Sequence, residues 1–114
     1  MMEPYSSSDK RLFQRMPLRI SMRFLNTSTN KWNLVQTEDI SARGIGMLTQ
    51  REVDPETPLE MWLPIPERGE TYYTRGKVAW SRRLEPDRYR VGVELNRIDL
   101  MGLAPFMRKA EVAI

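Results

Sequence analysis

Residues 18–24 read L-R-I-S-M-R-F, which places Leu18, Ile20, Met22 and Phe24 on one side of an extended chain and Arg19, Ser21 and Arg23 on the other. Such strict alternation predicts a strand with one buried face. The polar cluster N-T-S-T-N at 26–30 supplies a turn, and an extended pattern resumes over Trp32–Thr37, so the two runs predict a hairpin. Further strands are expected over Gly44–Thr49, over Leu59–Leu63 between Pro58 and Pro64, over Tyr72–Arg82, and over Tyr89–Leu95, where Val91, Val93 and Leu95 alternate. The E-P-D-R stretch at 85–88 is the turn of a second hairpin. Asp99 is placed to cap a final helix with Leu100, Leu103, Met107 and Ala110 as its apolar stripe. Pro105 offers the alternative that the helix begins only there. Six short strands, one terminal helix and no alternation of strands with helices predict a mainly all-β fold, a small antiparallel β-barrel with a C-terminal helix. Residues 1–9 (M-M-E-P-Y-S-S-S-D) read as a flexible tail, 10–98 as the barrel with the segment that leads into it, and 99–114 as the helical end.

At 114 residues the chain suits a single domain. It has no cysteine and no histidine, which removes disulfides, thiolate nucleophiles, zinc sites of the usual type and imidazole acid–base chemistry. The carboxylates are scattered with no acid–base pair, so no catalytic residue is assigned and no enzyme is expected. No apolar run approaches the roughly 20 residues of a membrane span, and the N-terminal residues lack the basic start and apolar stretch of a secretory signal. A cytoplasmic protein without membrane insertion, metal or cofactor is the expectation. Although the net charge is only +3, 14 of the 18 basic residues are Arg. A guanidinium pairs bidentately with phosphate and stacks on flat rings where an ammonium does neither. The bias points to an anionic, aromatic partner, although genomic composition alone also raises Arg.

Arginines recur at 11, 15, 19 and 23. On a helix this would be a stripe, but Pro17 and the alternation after it put Arg19 and Arg23 on the outward face of a strand and leave Arg11 and Arg15 as a separate pair ahead of it. The second element is D-I-S-A-R-G at 39–44, which a tight turn explains, with Gly44 free to adopt positive φ. Each stretch is bland when taken alone.

Taken together, R-L-F-Q-R at 11–15, D-I-S-A-R-G at 39–44, G-K-V-A-W at 76–80 and Y-R-V-G-V-E-L at 89–95 resemble the PilZ domain family. The R-x-x-x-R and [D/N]-x-S-x-x-G motifs are complete and in order, and the resemblance spans Lys10 to about Ile98. It implies a six-stranded antiparallel PilZ-type β-barrel that binds cyclic di-GMP without turning it over, with Arg11, Arg15, Asp39, Ser41 and Gly44 at the site. The chemistry agrees. An Arg fork suits the O6/N7 edge of guanine, a carboxylate such as Asp39 accepts from the N1 and N2 donors of the other edge, Ser41 donates to phosphate or accepts from the base, and Gly44 permits close backbone approach. Lys10 and Arg43 either neutralise phosphate or are solvated surface charges. Trp80 is either a barrel-wall residue or a stacking platform for guanine. Trp32, Trp62 and Phe24 are expected to pack in the core, and Phe13 to latch the Arg segment onto the barrel.

The resulting expectation is a receptor in which cyclic di-GMP orders the otherwise mobile Lys10–Pro17 segment against the barrel and signals to a downstream protein in trans. The alternative is a PilZ-like interaction adaptor that binds no nucleotide. A single-strand nucleic-acid binder fits less well, because Glu38, Asp39, Glu52 and Asp54 interrupt any basic stripe.

Overall fold

In a computed structural model, which describes residues 14–113, the alternation that starts at Leu18 is broken before it becomes a strand. The chain first forms a short strand β1 (Met16–Pro17) and then β2 (Ser21–Asn26), both antiparallel to β3 (Lys31–Ile40). Between the pairs Pro17↔Asp39 and Ser21↔Gln36 the first strand has three residues and β3 has two, so one extra residue bulges out. The buried Thr37 stitches this bulge: its hydroxyl donates to the Leu18 carbonyl at 2.6 Å and accepts from the Ile20 amide at 3.0 Å. Beyond the bulge the chain stays beside β3, with β1 pairing to its last two residues. Arg15 is thereby carried to Asp39. The expectation of a mobile Lys10–Pro17 segment is corrected for its last residues, because Met16 is buried in the core and pairs with Ile40. Lys10, Arg11 and Phe13 lie outside the described residues.

The remaining elements follow the expected order: β4 (Gly44–Thr49), β5 (Pro58–Pro64), β6 (Thr71–Glu85), β7 (Arg88–Leu95) and helix α1 (Leu100–Ala113). The strands run β1-β3-β2-β5-β6-β7-β4, and pairing of β4 back onto β3 closes six of them into an antiparallel barrel with β1 as an extra strand. The two read turns are confirmed by backbone geometry, since Asn30 and Asp87 adopt positive φ (58° and 60°) where each hairpin reverses. Met22, Phe24, Ile40, Ile45, Met47, Leu59, Met61, Leu63, Val78, Val91 and Val93 fill the interior. Closure is incomplete at one seam: β4 pairs only with Gln36–Ile40, so the first half of β3, residues 31–35, has β2 on one side and no strand on the other among the described residues.

Two core expectations are corrected. Trp32 and Trp62 do not pack inside; they lie on the outer face, because Trp32 is opposite Leu25 and Trp62 opposite Arg23, residues of the outward parity of β2. The helix begins at Leu100, with the Asp99 carboxylate accepting from the Gly102 amide at 3.0 Å. Its buried stripe is Leu103, Phe106, Met107 and Ala110, while Leu100, in the first turn, is exposed. Pro105 sits inside the helix. Its cost of about 3 kcal/mol is outweighed by burial of Leu103, Phe106 and Met107, worth about 1.5–3 kcal/mol each. The Tyr72 hydroxyl donates to the same Asp99 at 2.9 Å and ties the helix start to β6.

Candidate functional site

The site is built from the register of four strands. Asp39 on β3 is opposite Gly46 on β4, Gly46 is opposite Gly92 on β7, and Gly92 is opposite Trp80 on β6. These residues form one lateral row on the outer face, about 14 Å across at three strand spacings. The two glycines are its floor. A Cβ on Gly46 would stand 2.6 Å from Asp39 Oδ1, and a Cβ on Gly92 would stand 2.3 Å from Trp80 Cε2. The carboxylate and the indole thus each lie over a glycine, and neither position tolerates a side chain without moving the group above it. Trp80 lies on the outer face, where it is partly exposed.

Arg15 comes in from ahead of β1, and its Nη1 donates to Asp39 Oδ1 at 2.6 Å, with the two side chains 44% and 31% exposed. A pair this open contributes only about 0.2–1 kcal/mol. Beside it Arg15, Arg43, Gly44, Ala79, Val93 and Glu94 line a shallow depression of about 120 Å³. On the other flank Arg90 Nε donates to Glu38 at 2.6 Å, and the Arg82 guanidinium stands 5.8 Å from the Trp80 ring. Two bulges shape the trough: Glu38 is skipped in the β3–β4 register and Ala79 in the β6–β7 register. Both lie next to the row, where an extra residue re-aims the neighbouring side chains.

The D-I-S-A-R-G turn is tight, with Ser41 and Gly44 exchanging backbone hydrogen bonds at 2.9 and 3.4 Å. Ser41 is buried, and its Oγ accepts from the Arg43 amide at 3.2 Å. The reading of Gly44 as a positive-φ residue is corrected: its φ is not in the left-handed region, and what demands glycine is the Val93 carbonyl oxygen, 2.4 Å from where a Cβ would stand. Of the anticipated site residues, Asp39 and Trp80 stand at the two ends of the row, Arg15 pairs with Asp39, and Arg15, Arg43 and Gly44 line the depression beside it, whereas Lys10 and Arg11 lie outside the described residues. Gly46, Gly92, Arg82 and Arg90 were missed. The G-I-G spacing at 44–46 was the available signal for Gly46.

Comparison with known proteins bears on the same region, for the family model of the PilZ domain matches residues 9–102. The chain belongs to the PilZ domain family. Solved structures share this barrel fold, three of them as follows. The PilZ domain of YcgR from Escherichia coli, solved with c-di-GMP, is 9% identical at a TM-score of 0.65, over 88% of each chain. The PilZ domain of CeSA from a cellulose-synthesizing bacterium is 17% identical at 0.62, over 88% of this chain and 97% of that one. The inhibitor of motility MotI of Bacillus subtilis is 12% identical at 0.67, over 87% of this chain but 48% of its own, so the present chain spans about half of that protein. At these identities the likeness is one of fold. No curated protein matches the chain.

Proposed function

We propose that this PilZ domain is a regulatory receptor for cyclic di-GMP and that the outer-face trough is its binding site. The observation that carries the reading is the row Asp39–Gly46–Gly92–Trp80 with Arg15 paired across its end. Its parts match a guanine dinucleotide group by group. Asp39 accepts from guanine N1 and N2, Arg15 offers a fork to a guanine O6/N7 edge or a phosphate, and the Trp80 indole with Arg82 provides a stacking surface. The glycines make the room in which the Asp39 carboxylate and the Trp80 indole lie. The solved YcgR domain carrying c-di-GMP on the same barrel supports the choice of ligand.

The resting Arg15–Asp39 pair sets the mechanism. Because an exposed pair is weak, ligand replaces it at small cost, with guanine edges and phosphates satisfying both partners. Arg11 then joins from the segment preceding Arg15, and that segment becomes ordered over the trough, a change a partner protein reads in trans. The role is regulatory, not catalytic.

Calorimetric titration with cyclic di-GMP, with GTP and single-stranded DNA as controls, tests the assignment. Arg15→Ala is expected to weaken binding by about 2–4 kcal/mol, and Arg19→Ala, exposed in the bulge between β1 and β2, to leave it unchanged. Parent-like affinity in both variants, or no heat with cyclic di-GMP, would refute the reading.

A further inference from the structure

A second surface lies outside the trough, at the incomplete seam of the barrel. On the outer face Leu34, Arg23, Trp62 and Tyr73 form one lateral row across β3, β2, β5 and β6, and Trp32, Leu25, Glu60 and Arg75 form the next. The rings are in contact: Trp32 and Trp62 centroids are 4.8 Å apart, and Trp62 and Tyr73 5.1 Å. The Arg23 guanidinium stands 5.6 Å from the Trp32 ring and 6.0 Å from Trp62. Large apolar side chains are nevertheless left in water, Trp32 at 55% and Leu34 at 73% of their surface. Both belong to the stretch of β3 that has no strand on its outer side among the described residues. Free backbone edge and exposed apolar side chains therefore coincide within residues 31–35.

We infer that this free β3 edge, with Trp32, Leu34 and Arg23, is a docking surface for an extended, acidic, apolar segment of a partner protein, which adds to the barrel as a further strand. The form of the partner follows from the edge, because unpaired strand amides and carbonyls are satisfied by another extended chain, and alternate residues of that chain would meet Trp32 and Leu34. Its charge follows from the balance of the patch. On this face Arg23 and Arg75 stand against the single carboxylate of Glu60, which accepts from the Tyr73 hydroxyl, and Arg23 makes no ion pair among the described residues. The surplus is positive. The same surplus disfavours a second copy of this chain, whose edge would bring another Arg23 against this one, and the exposed Leu34 and central Glu60 disfavour a nucleic-acid strand. Trp, Tyr and Arg are also the side chains that dominate protein interfaces.

The three tryptophans make the test specific, since Trp32 and Trp62 report this surface and Trp80 reports the trough. The full chain is titrated with a synthetic peptide of about ten residues in which glutamate alternates with valine and phenylalanine, a pattern suited to strand addition. Three further probes are the same peptide with lysine for glutamate, the same peptide with alternate prolines, and oligo-dT. The acidic peptide is expected to shift the Trp32 and Trp62 indole N–H resonances and to slow amide exchange over 31–35, leaving Trp80 unmoved. The double variant Trp32→Ala, Leu34→Ala, two outer-face changes that spare the core, is expected to weaken it at least about tenfold. No binding, equal binding by the double variant, equal binding of the lysine or proline peptides, or preference for oligo-dT would overturn the inference. So would a dimer in sedimentation that the double variant abolishes. Cyclic di-GMP added alone reads the trough through Trp80, so failure of one site is distinguishable from failure of the other.

Discussion

Gly46→Ala separates the ligand site from the scaffold that holds it. The new methyl would start 2.6 Å from Asp39 Oδ1, 3.0 Å from its Cγ and 3.1 Å from Oδ2. Ordinary contact begins near 3.4 Å, so the carboxylate must retreat by about 0.8 Å, and because the obstacle is the far end of a flexible side chain it can do so. The fold therefore loses at most the Arg15–Asp39 pair, about 0.2–1 kcal/mol. Binding loses more, since an acceptor displaced by that distance no longer meets N1 and N2 of guanine together, which is worth about 1–3 kcal/mol, or roughly 5- to 150-fold in affinity. Gly44→Ala is the internal comparison: there the obstacle is the Val93 carbonyl, a backbone atom in the β7 strand, 2.4 Å away. Strand β4 must shift, at about 1–3 kcal/mol of stability. Urea unfolding and calorimetric titration of both variants provide the readouts. Parent-like affinity in Gly46→Ala, or a greater loss of stability there than in Gly44→Ala, would refute the reasoning.

Three further outcomes are expected. Thr37→Val keeps the shape but leaves the Leu18 carbonyl and Ile20 amide without their side-chain partner, costing about 1–3 kcal/mol in urea unfolding and loosening the bulge that delivers Arg15. Asp99→Ala removes the helix cap and the Tyr72 tie, costing about 1 kcal/mol at neutral pH. The Gly102 amide and then the Tyr72 hydroxyl hold the Asp99 carboxyl below its ordinary value, so its contribution is present above the ordinary carboxylate range and disappears as pH falls through the lowered folded value. Parent and Asp99→Ala stabilities should therefore converge in acid, and a gap that persists there would exclude this origin. Cyclic di-AMP, whose base lacks the N1–H and N2 donors that the proposed site assigns to Asp39, should bind at least roughly tenfold more weakly than cyclic di-GMP, and equal heats would remove Asp39 from base recognition.

Alternation made the strands legible in the sequence, because burial of one sheet face writes a period of two into the chain. The hairpin turns were legible for the same kind of reason, since asparagine and aspartate tolerate the positive φ found at Asn30 and Asp87. Both family motifs could be read as contiguous words. The trough floor could not, for Gly46 and Gly92 become neighbours only through the β4–β7 register, which is a long-range property. The bulges at Glu38 and Ala79 were equally hidden, each being one unpaired residue inside an otherwise regular strand. Trp32 and Trp62 were misassigned because residue type was weighed above strand parity, and parity decides which face a side chain takes. Phe106 was missed because the helical stripe was phased from Leu100, which the first turn leaves exposed.

The most direct test of the proposed site is a titration of the full chain with cyclic di-GMP followed through backbone amide and indole resonances. The predicted result is saturable movement of the Asp39, Gly46 and Gly92 amides and of the Trp80 indole N–H, with Trp32 and Trp62 unchanged. Saturable binding that leaves this row unmoved, or that moves Trp32 and Trp62 instead, would contradict it.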